Sequence, residues 1–430
     1  MILTIRPVEH LRGIVDLPSS KSYSIRAFII ASCGGRSIIH HPSNCDDAIV
    51  AMNVARSFGA KLQHMKKKFV KIDAFANPLN ISTINVKESG TVLRFVLPLV
   101  SLYKDKAIIN GEGTLTSRPN LHLTQALRNL GVVIRGKGNS ETVPIYKEEG
   151  CIKGGKIEID GSLSSQFVSA FLIACPQLKE DSWVKVFGKK MVSQTYITMT
   201  LQILEKSGIE IKQKSPRLFF VKGNQKYTGF KKFTVPADYG LAAFFLAAGT
   251  LLKSQLTLRG SFRKEFVQSD GEILKFLRLM GVLFEEKSRG IKIVGPSDIK
   301  GGNFSLKNCP DLIPIMSILA LFARGRTRLY NIGHAKVKES DRIGDLRNEL
   351  LKVGASIIAK SDEMIIYPQK NYHRDCLLDP HHDHRLAMAF AILGLKLGIK
   401  VKDIECTKKS YPDFVQDLRI LRVPLNLSKD

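Results

Sequence analysis

Apolar positions along the chain switch repeatedly between two periods, and the switch has a fixed form. A helical spacing of three and four, a glycine, and then strand-like alternation recur as ARSFGAKLQ around Gly59, LRNLGVVIRG around Gly131, LEKSGIEIK around Gly208, LRLMGVLFEE around Gly281 and LLKVGASIIA around Gly354. The glycines are 72, 77, 73 and 73 residues apart. A degenerate sixth copy, LRILRVPLN, puts Arg422 in the glycine place 68 residues later. Six units in 430 residues average about 72 each, so the chain reads as a sixfold internal repeat. Each glycine suits a left-handed helix C-cap that turns the chain into a strand.

A second kind of helix recurs between these copies, starting at Ser19, Glu88, Leu163, Asp238, Pro310 and Asp383. These stretches are apolar nearly all round with small residues interspersed, which predicts buried helices. Their polar residues gather at the N-terminal ends. Plain N-capping accounts for any one of them. Six alike suggest several positive helix ends directed into a shared space, which favours anions. The first three starts carry Lys21, Ser22, Arg26, Arg94, Ser164 and Ser165, whereas the last three carry Asp238, Asp311 and Asp383. One half therefore leans toward anion binding and the other adds carboxylates.

Composition narrows the class. With 44% hydrophobic and 24% charged residues the chain reads as a soluble globular protein, not a disordered or collagen-like one. Its seven cysteines form no C-x-x-C pair and no zinc-ligand spacing, so no metal site and a reduced, cytoplasmic setting are expected. No apolar run reaches the length of about 18 residues that spans a bilayer, and residues 1–10 alternate like a strand rather than a leader. The net charge of +26 raises the possibility of a nucleic-acid footprint. The runs Lys66-Lys-Lys68, Lys189-Lys190 and Lys231-Lys232 are short and scattered, however, and no zinc finger or RNA-recognition aromatic motif accompanies them. A lysine-rich solvated surface is the simpler reading, and no nucleic-acid partner is expected.

The segments LPSSKSYSIRA (17–27), SGTVLR (89–94), SRPNLHL (117–123), GSLSSQF (161–167), VSQTYITMTL (192–201), VKESDRI (337–343), DHRLAMAF (383–390) and CTKKSYPDF (406–414) together resemble the 5-enolpyruvylshikimate-3-phosphate (EPSP) synthase family. Collinearity from end to end makes this specific. The resemblance implies an α/β fold of two globular domains, each built from three βαβαββ units whose inner helices aim at an interdomain cleft. By analogy residues 21–235 form one domain, and residues 1–20 with 236–430 form the other. It also implies transfer of the enolpyruvyl group of phosphoenolpyruvate to the 5-hydroxyl of shikimate 3-phosphate by addition and elimination, with release of phosphate. The reaction belongs to the shikimate pathway of aromatic amino-acid biosynthesis, and the family is the target of glyphosate. Neither metal nor organic cofactor is required, and a monomer is expected.

By motif, Ser22, Arg26, Ser164, Ser165, Ser193, Tyr196, Asp311, His334 and Lys338 are implied to hold shikimate 3-phosphate. Lys21, Gly90, Arg118, Gln166, Arg342, Arg385 and Lys409 are implied to hold phosphoenolpyruvate. Asp311 is the candidate base for the 5-hydroxyl, and Lys21, Glu339 and His384 complete the candidates for proton transfer. From the residues alone, Lys338 and Arg342 read as two cations four apart on a helix, a repulsion that a bound anion or salt bridges to Glu339, Asp341 or Asp345 would offset. An N-cap is the alternative for Asp311. The chain departs from the common family pattern at Glu88, His334 and His382, each standing where asparagine is frequent. The sister family acting on UDP-N-acetylglucosamine has Lys-Asn where this chain has Lys21-Ser22, and a loop cysteine where this chain has none between 45 and 151.

Overall fold

A computed structural model describes residues 1–65, 69–74, 81–263 and 265–429. The lysine run 66–68 lies outside the described residues. The chain divides into two compact units, Ser19–Val235 and Met1–Pro18 with Pro236–Asp430.

Each unit contains three four-stranded sheets of one pattern. In the sheet of Gly155–Asp160, Ser182–Phe187, Ile211–Ser215 and Leu218–Val221, the first two strands pair in parallel. The last two form an antiparallel hairpin that returns beside the second. The parallel step needs a crossover, and the buried helix Ser165–Ala174 supplies it. A second, amphipathic helix, Gln194–Lys206, leads into the hairpin. Thus strand, buried helix, strand, amphipathic helix and hairpin make one unit.

Three sheets are completed by strands distant in sequence. Ile2–Ile5 lies between Ile399–Val401 and Leu425–Ser428, occupying the place that the last strand of a hairpin fills elsewhere. His10–Asp16 pairs in parallel with Lys253–Arg259 and opens another sheet of the same unit. In the Ser19–Val235 unit, the short strand Phe233–Thr234 pairs in parallel with Gly35–His40.

The repeated glycines do what their position predicts. Gly59, Gly131, Gly208, Gly281 and Gly354 have φ between 82° and 92°, and Arg422 in the sixth copy is forced to φ 57°. The second helix type is buried as expected. Tyr239–Leu251 and Ile313–Leu321 are buried at every position, and Lys21–Ser32, Gly90–Val100 and His384–Leu397 nearly so. Helices that no polar face restrains can approach a neighbour on any side, and Tyr239–Leu251, Ile313–Leu321 and His384–Leu397 pack on one another. Lys189, Lys190, Lys231 and Lys232 are exposed, as a solvated surface requires. No described helix is long and apolar enough to cross a membrane.

Candidate functional site

In the Ser19–Val235 unit the candidate residues sit at helix starts and on the loops feeding them. Lys21 opens the helix Lys21–Ser32, and its Nζ lies 3.0 Å from Asp47 Oδ2. One turn on, Arg26 is 1% exposed. Its Nε donates to Thr200 Oγ1 at 2.8 Å and its Nη1 to the Ser22 carbonyl at 3.1 Å. The guanidinium lies over the rings of Phe95 and Tyr196. Burial lowers its pKa to about 10, partly opposed by Tyr196 and Tyr23, so it remains a cation at neutral pH.

The helix Gly90–Val100 begins without a side-chain cap at Ser89. Gly90 instead faces the guanidinium of Arg118, itself 5% exposed. Glu88 Oε2 accepts from both the backbone N–H and the hydroxyl of Thr114, tying this helix start to the turn Gly113–Ser117 that precedes Arg118. Gln166 bridges two side chains: Oε1 accepts from Arg94 Nη1 at 2.5 Å and Nε2 donates to Thr91 Oγ1 at 2.9 Å. Ser164 caps its helix by accepting from Gln166 N–H, so the capping alternative describes that hydroxyl here. Ser193 is 4% exposed and held at φ 54°, a left-handed conformation that a non-glycine residue seldom adopts.

The other unit assembles charge more densely. Arg342 is 1% exposed, and all three of its guanidinium nitrogens are engaged. Nε donates to Asp383 Oδ2 at 2.6 Å, Nη1 to Asp311 Oδ1 at 2.6 Å and Nη2 to Glu339 Oε2 at 2.9 Å. Asp311 Oδ2 lies 3.2 Å from Nη2 of Arg385, so one carboxylate bridges two buried arginines. Burial alone would raise Asp311, but Arg385, Arg342 and Lys338 outweigh it and hold the carboxyl far below the usual range. Asp311 stands in the turn Pro310–Leu312 and makes no side-chain cap, which disposes of that alternative. Asp383 does cap, accepting from Arg385 N–H at 2.8 Å while it binds Arg342.

His334 is pushed down to about 3 by burial and then by Lys338, with Asp362 and Asp311 opposing. It is a neutral imidazole at pH 7. His384 is 1% exposed beside Arg385, and Lys409, 7% exposed, ends the turn Ile404–Lys409, which packs on the helix His384–Leu397. Three protein carboxylates fix one buried arginine, and one of them also holds a second, so both guanidiniums are neutralised and positioned by the protein's own carboxylates.

A family model described as EPSP synthase (3-phosphoshikimate 1-carboxyvinyltransferase) matches residues 5–418. The chain belongs to the EPSP synthase family. It is 35% identical over 427 residues to the 3-phosphoshikimate 1-carboxyvinyltransferase of Methanocaldococcus jannaschii, which covers 98% of either chain. Identity to the protein of the same name from Methanococcus maripaludis is 33% over 426 residues, 97% of this chain and 98% of that one. A solved EPSP synthase from Acinetobacter baumannii superposes with a TM-score of 0.80 at 22% identity, over the whole of both chains, and shows the two-domain enolpyruvyl transferase fold.

Against the residues expected from the EPSP synthase motifs, two local features differ. Lys338 and Arg342 do not share a helix. They lie between the turn Gly333–Val337 and the helix Gly344–Lys352, because Asp341 accepts the N–H groups of Ile343 and Gly344 and starts the helix late. Their mutual repulsion is instead answered, at Arg342, by three carboxylates. The second difference lies in the supporting residues: Asp47 is outside the quoted motifs, Asn120 and Thr200 are inside them with no expected role, and Asp383, expected only as a polar helix start, binds Arg342. Asn120 takes Arg94 Nε at 3.4 Å, and only its place directly after the Ser-Arg-Pro motif could have drawn notice. Among the described residues, no cluster of potential ligands could hold a metal ion.

Proposed function

We propose that the chain transfers the enolpyruvyl group of phosphoenolpyruvate to the 5-hydroxyl of shikimate 3-phosphate and releases phosphate, as a 3-phosphoshikimate 1-carboxyvinyltransferase. The observation that carries this is the family match over residues 5–418, with the buried Arg342, Asp311 and Arg385 linkage falling within it.

We assign the roles as follows. To shikimate 3-phosphate we assign Ser22, Arg26, Ser164, Ser165, Ser193, Tyr196, Asp311, His334 and Lys338. A neutral His334 can give a hydrogen bond to an acceptor without adding charge. Phosphoenolpyruvate is held by Lys21, Gly90, Arg118 and Gln166, and by Arg342, Arg385 and Lys409. The reaction makes a C–O bond from the 5-hydroxyl oxygen to C2 of the donor while a proton adds to C3. Elimination then returns that carbon's proton, breaks the C2–O bond to phosphate and restores the double bond. Lys21, Glu339 and His384 are the candidates for the proton at C3.

Asp311 as the base for the 5-hydroxyl raises an electrostatic problem, to which its two arginine contacts offer an answer. With both oxygens on arginine N–H groups, it is too weak a base. A donor anion that takes those N–H groups releases the carboxylate and raises its basicity. Asp311 is the partner able to yield, being 21% exposed where Glu339 is 10% and Asp383 fully buried. Base strength would thus follow occupancy by the donor.

We further place the protein in the cytoplasm and expect it to act as a monomer. The deciding assay is phosphate release from the two substrates together. Release that requires both, and is abolished when either is omitted, supports the assignment. Turnover with UDP-N-acetylglucosamine in place of shikimate 3-phosphate would overturn it.

A further inference from the structure

The helix Gln194–Lys206 buries Ile197, Met199, Thr200, Ile203 and Leu204, and Thr200 is the one polar side chain among them. A hydroxyl with no exposure at all must find its partners inside the protein. Two acceptors for its proton lie at the same distance: the Tyr196 carbonyl one turn earlier and Ser169 Oγ on the helix Ser165–Ala174, each 2.9 Å from Thr200 Oγ1. Both take the proton and leave the oxygen's own lone pairs unused.

Arg26 uses one of them. From the helix Lys21–Ser32 its Nε donates to Thr200 Oγ1 at 2.8 Å. A hydroxyl carries one proton and two lone pairs, so a lone pair remains for the guanidinium whichever oxygen takes the proton. The Ser22 carbonyl accepts from Nη1 at 3.1 Å and the Tyr196 carbonyl from Nη2 at 3.4 Å, while Phe95 and Tyr196 lay their rings 5.2 and 5.7 Å from Cζ. Thr200 is thus the one side chain among the described residues that hydrogen-bonds Arg26, and its bond is the shortest. The guanidinium is planar, so fixing the direction of Nε–H also fixes where both terminal nitrogens point. Of its five N–H groups three are engaged, which leaves one on each terminal nitrogen.

We propose that Thr200 is a positioning residue for Arg26, aiming the two remaining N–H groups at the anionic end of shikimate 3-phosphate, an inference that rests on the assignment of Arg26 to that substrate. Thr200 acts through the arginine and touches no substrate itself. All the residues involved, Arg26, Phe95, Ser169, Tyr196 and Thr200, lie in the Ser19–Val235 unit, so the arrangement is built into one body. Without the hydroxyl, a buried N–H of a cation would lose its partner, and the plane would be free to turn between the two rings.

The test measures calorimetric binding of shikimate 3-phosphate to the full chain, with thermal melts and the KM for phosphoenolpyruvate alongside. Thr200→Val keeps the branched shape and deletes the acceptor, and it is expected to weaken shikimate 3-phosphate binding about tenfold while KM for phosphoenolpyruvate moves less than about threefold. Thr200→Ser restores the hydroxyl and should bind within about threefold of the parent. In an Arg26→Lys background, which has no Nε–H, Thr200→Val should change binding less than about twofold. Thr200→Ala runs in parallel with the same expectation as Thr200→Val, so that a folding failure of one leaves the other to decide. Parent-like binding in Thr200→Val while Arg26→Lys binds weakly would overturn this inference alone, as would an equal loss with and without Arg26, or a serine variant as weak as the valine one. Parent-like binding in Arg26→Lys would remove the assignment on which it rests.

Discussion

Arg118 lays its guanidinium directly against Gly90, so that a β-carbon at position 90 would stand 2.8 Å from Nη1 and 2.9 Å from Cζ. Gly90 is helical and needs no special backbone conformation, hence the glycine is there for the arginine. Gly90→Ala should push Arg118 aside without unfolding the helix, since alanine is the better helix former. The expected result is a rise of about tenfold in KM for phosphoenolpyruvate with shikimate 3-phosphate affinity retained. A double-mutant cycle checks the route: in an Arg118→Ala background the same substitution should add almost nothing. Additive effects would show that Gly90 acts by some other contact.

Asp311 offers a second test, because its two oxygens are divided between Arg342 and Arg385. Asp311→Asn keeps the shape but removes both the base and the charge that joins the arginines. Turnover should fall by about 10²–10⁴-fold while shikimate 3-phosphate still binds, as read by single-turnover kinetics and calorimetry. Turnover close to the parent value would exclude Asp311 as the base.

The sixfold order was legible because its cause is local. A helix that must end and turn into a strand selects a left-handed residue, and glycine marks the place in the sequence. The closing of the sheets was not legible in the same way, since pairing of Ile2–Ile5 with Leu425–Ser428 is a relation between opposite ends of the chain that no periodicity records. The site divides similarly. Charged residues inside motifs, such as Arg342, Arg385 and Asp383, could be picked out in the sequence, yet that Asp383 binds Arg342 across 41 residues is a product of tertiary packing, as is the contact of Lys21 with Asp47, which no motif contains. Lys338 and Arg342 illustrate the opposite error. Their spacing of four suggested a helical face, and the Asp341 carboxylate displaced the helix start beyond them.

Tyr411 and Asp417 provide a prediction about pH. Tyr411 donates to Asp417 Oδ2 at 2.6 Å. Burial, with smaller contributions from Asp413 and Asp16, nevertheless outweighs that hydrogen bond and raises the Asp417 carboxyl to about 6. Against an unfolded value of about 3.9, the folded state holds a proton that the unfolded chain releases. The stabilising contribution is complete below about pH 4 and is lost as pH rises through about 6. Asp417→Asn removes this dependence and can still accept from Tyr411. Relative to the parent, the variant should therefore gain stability between pH 4 and pH 7, on the order of 1 kcal/mol once solvent screening is allowed for. Denaturant titrations of both proteins at the two pH values measure it, and a pH-independent difference would count against the shifted carboxyl.

Arg422 occupies the one place in the sixfold pattern where a side chain stands in the left-handed region, at φ 57°, and it is exposed. A left-handed conformation costs an L-residue about 1–2 kcal/mol, whereas the freedom glycine has in the unfolded chain costs about 0.5–1 kcal/mol. Arg422→Gly should therefore stabilise the protein by roughly 0.5–1 kcal/mol, with enzymatic activity unaltered, because relief of strain exceeds the entropic loss. Gly354→Ala makes the opposite change at φ 82° and should destabilise by more than about 1 kcal/mol. Chemical denaturation of the two variants in parallel decides the matter. A less stable Arg422→Gly protein, or an indifferent Gly354→Ala, would mean that the left-handed turn is not what selects glycine at the repeat boundaries.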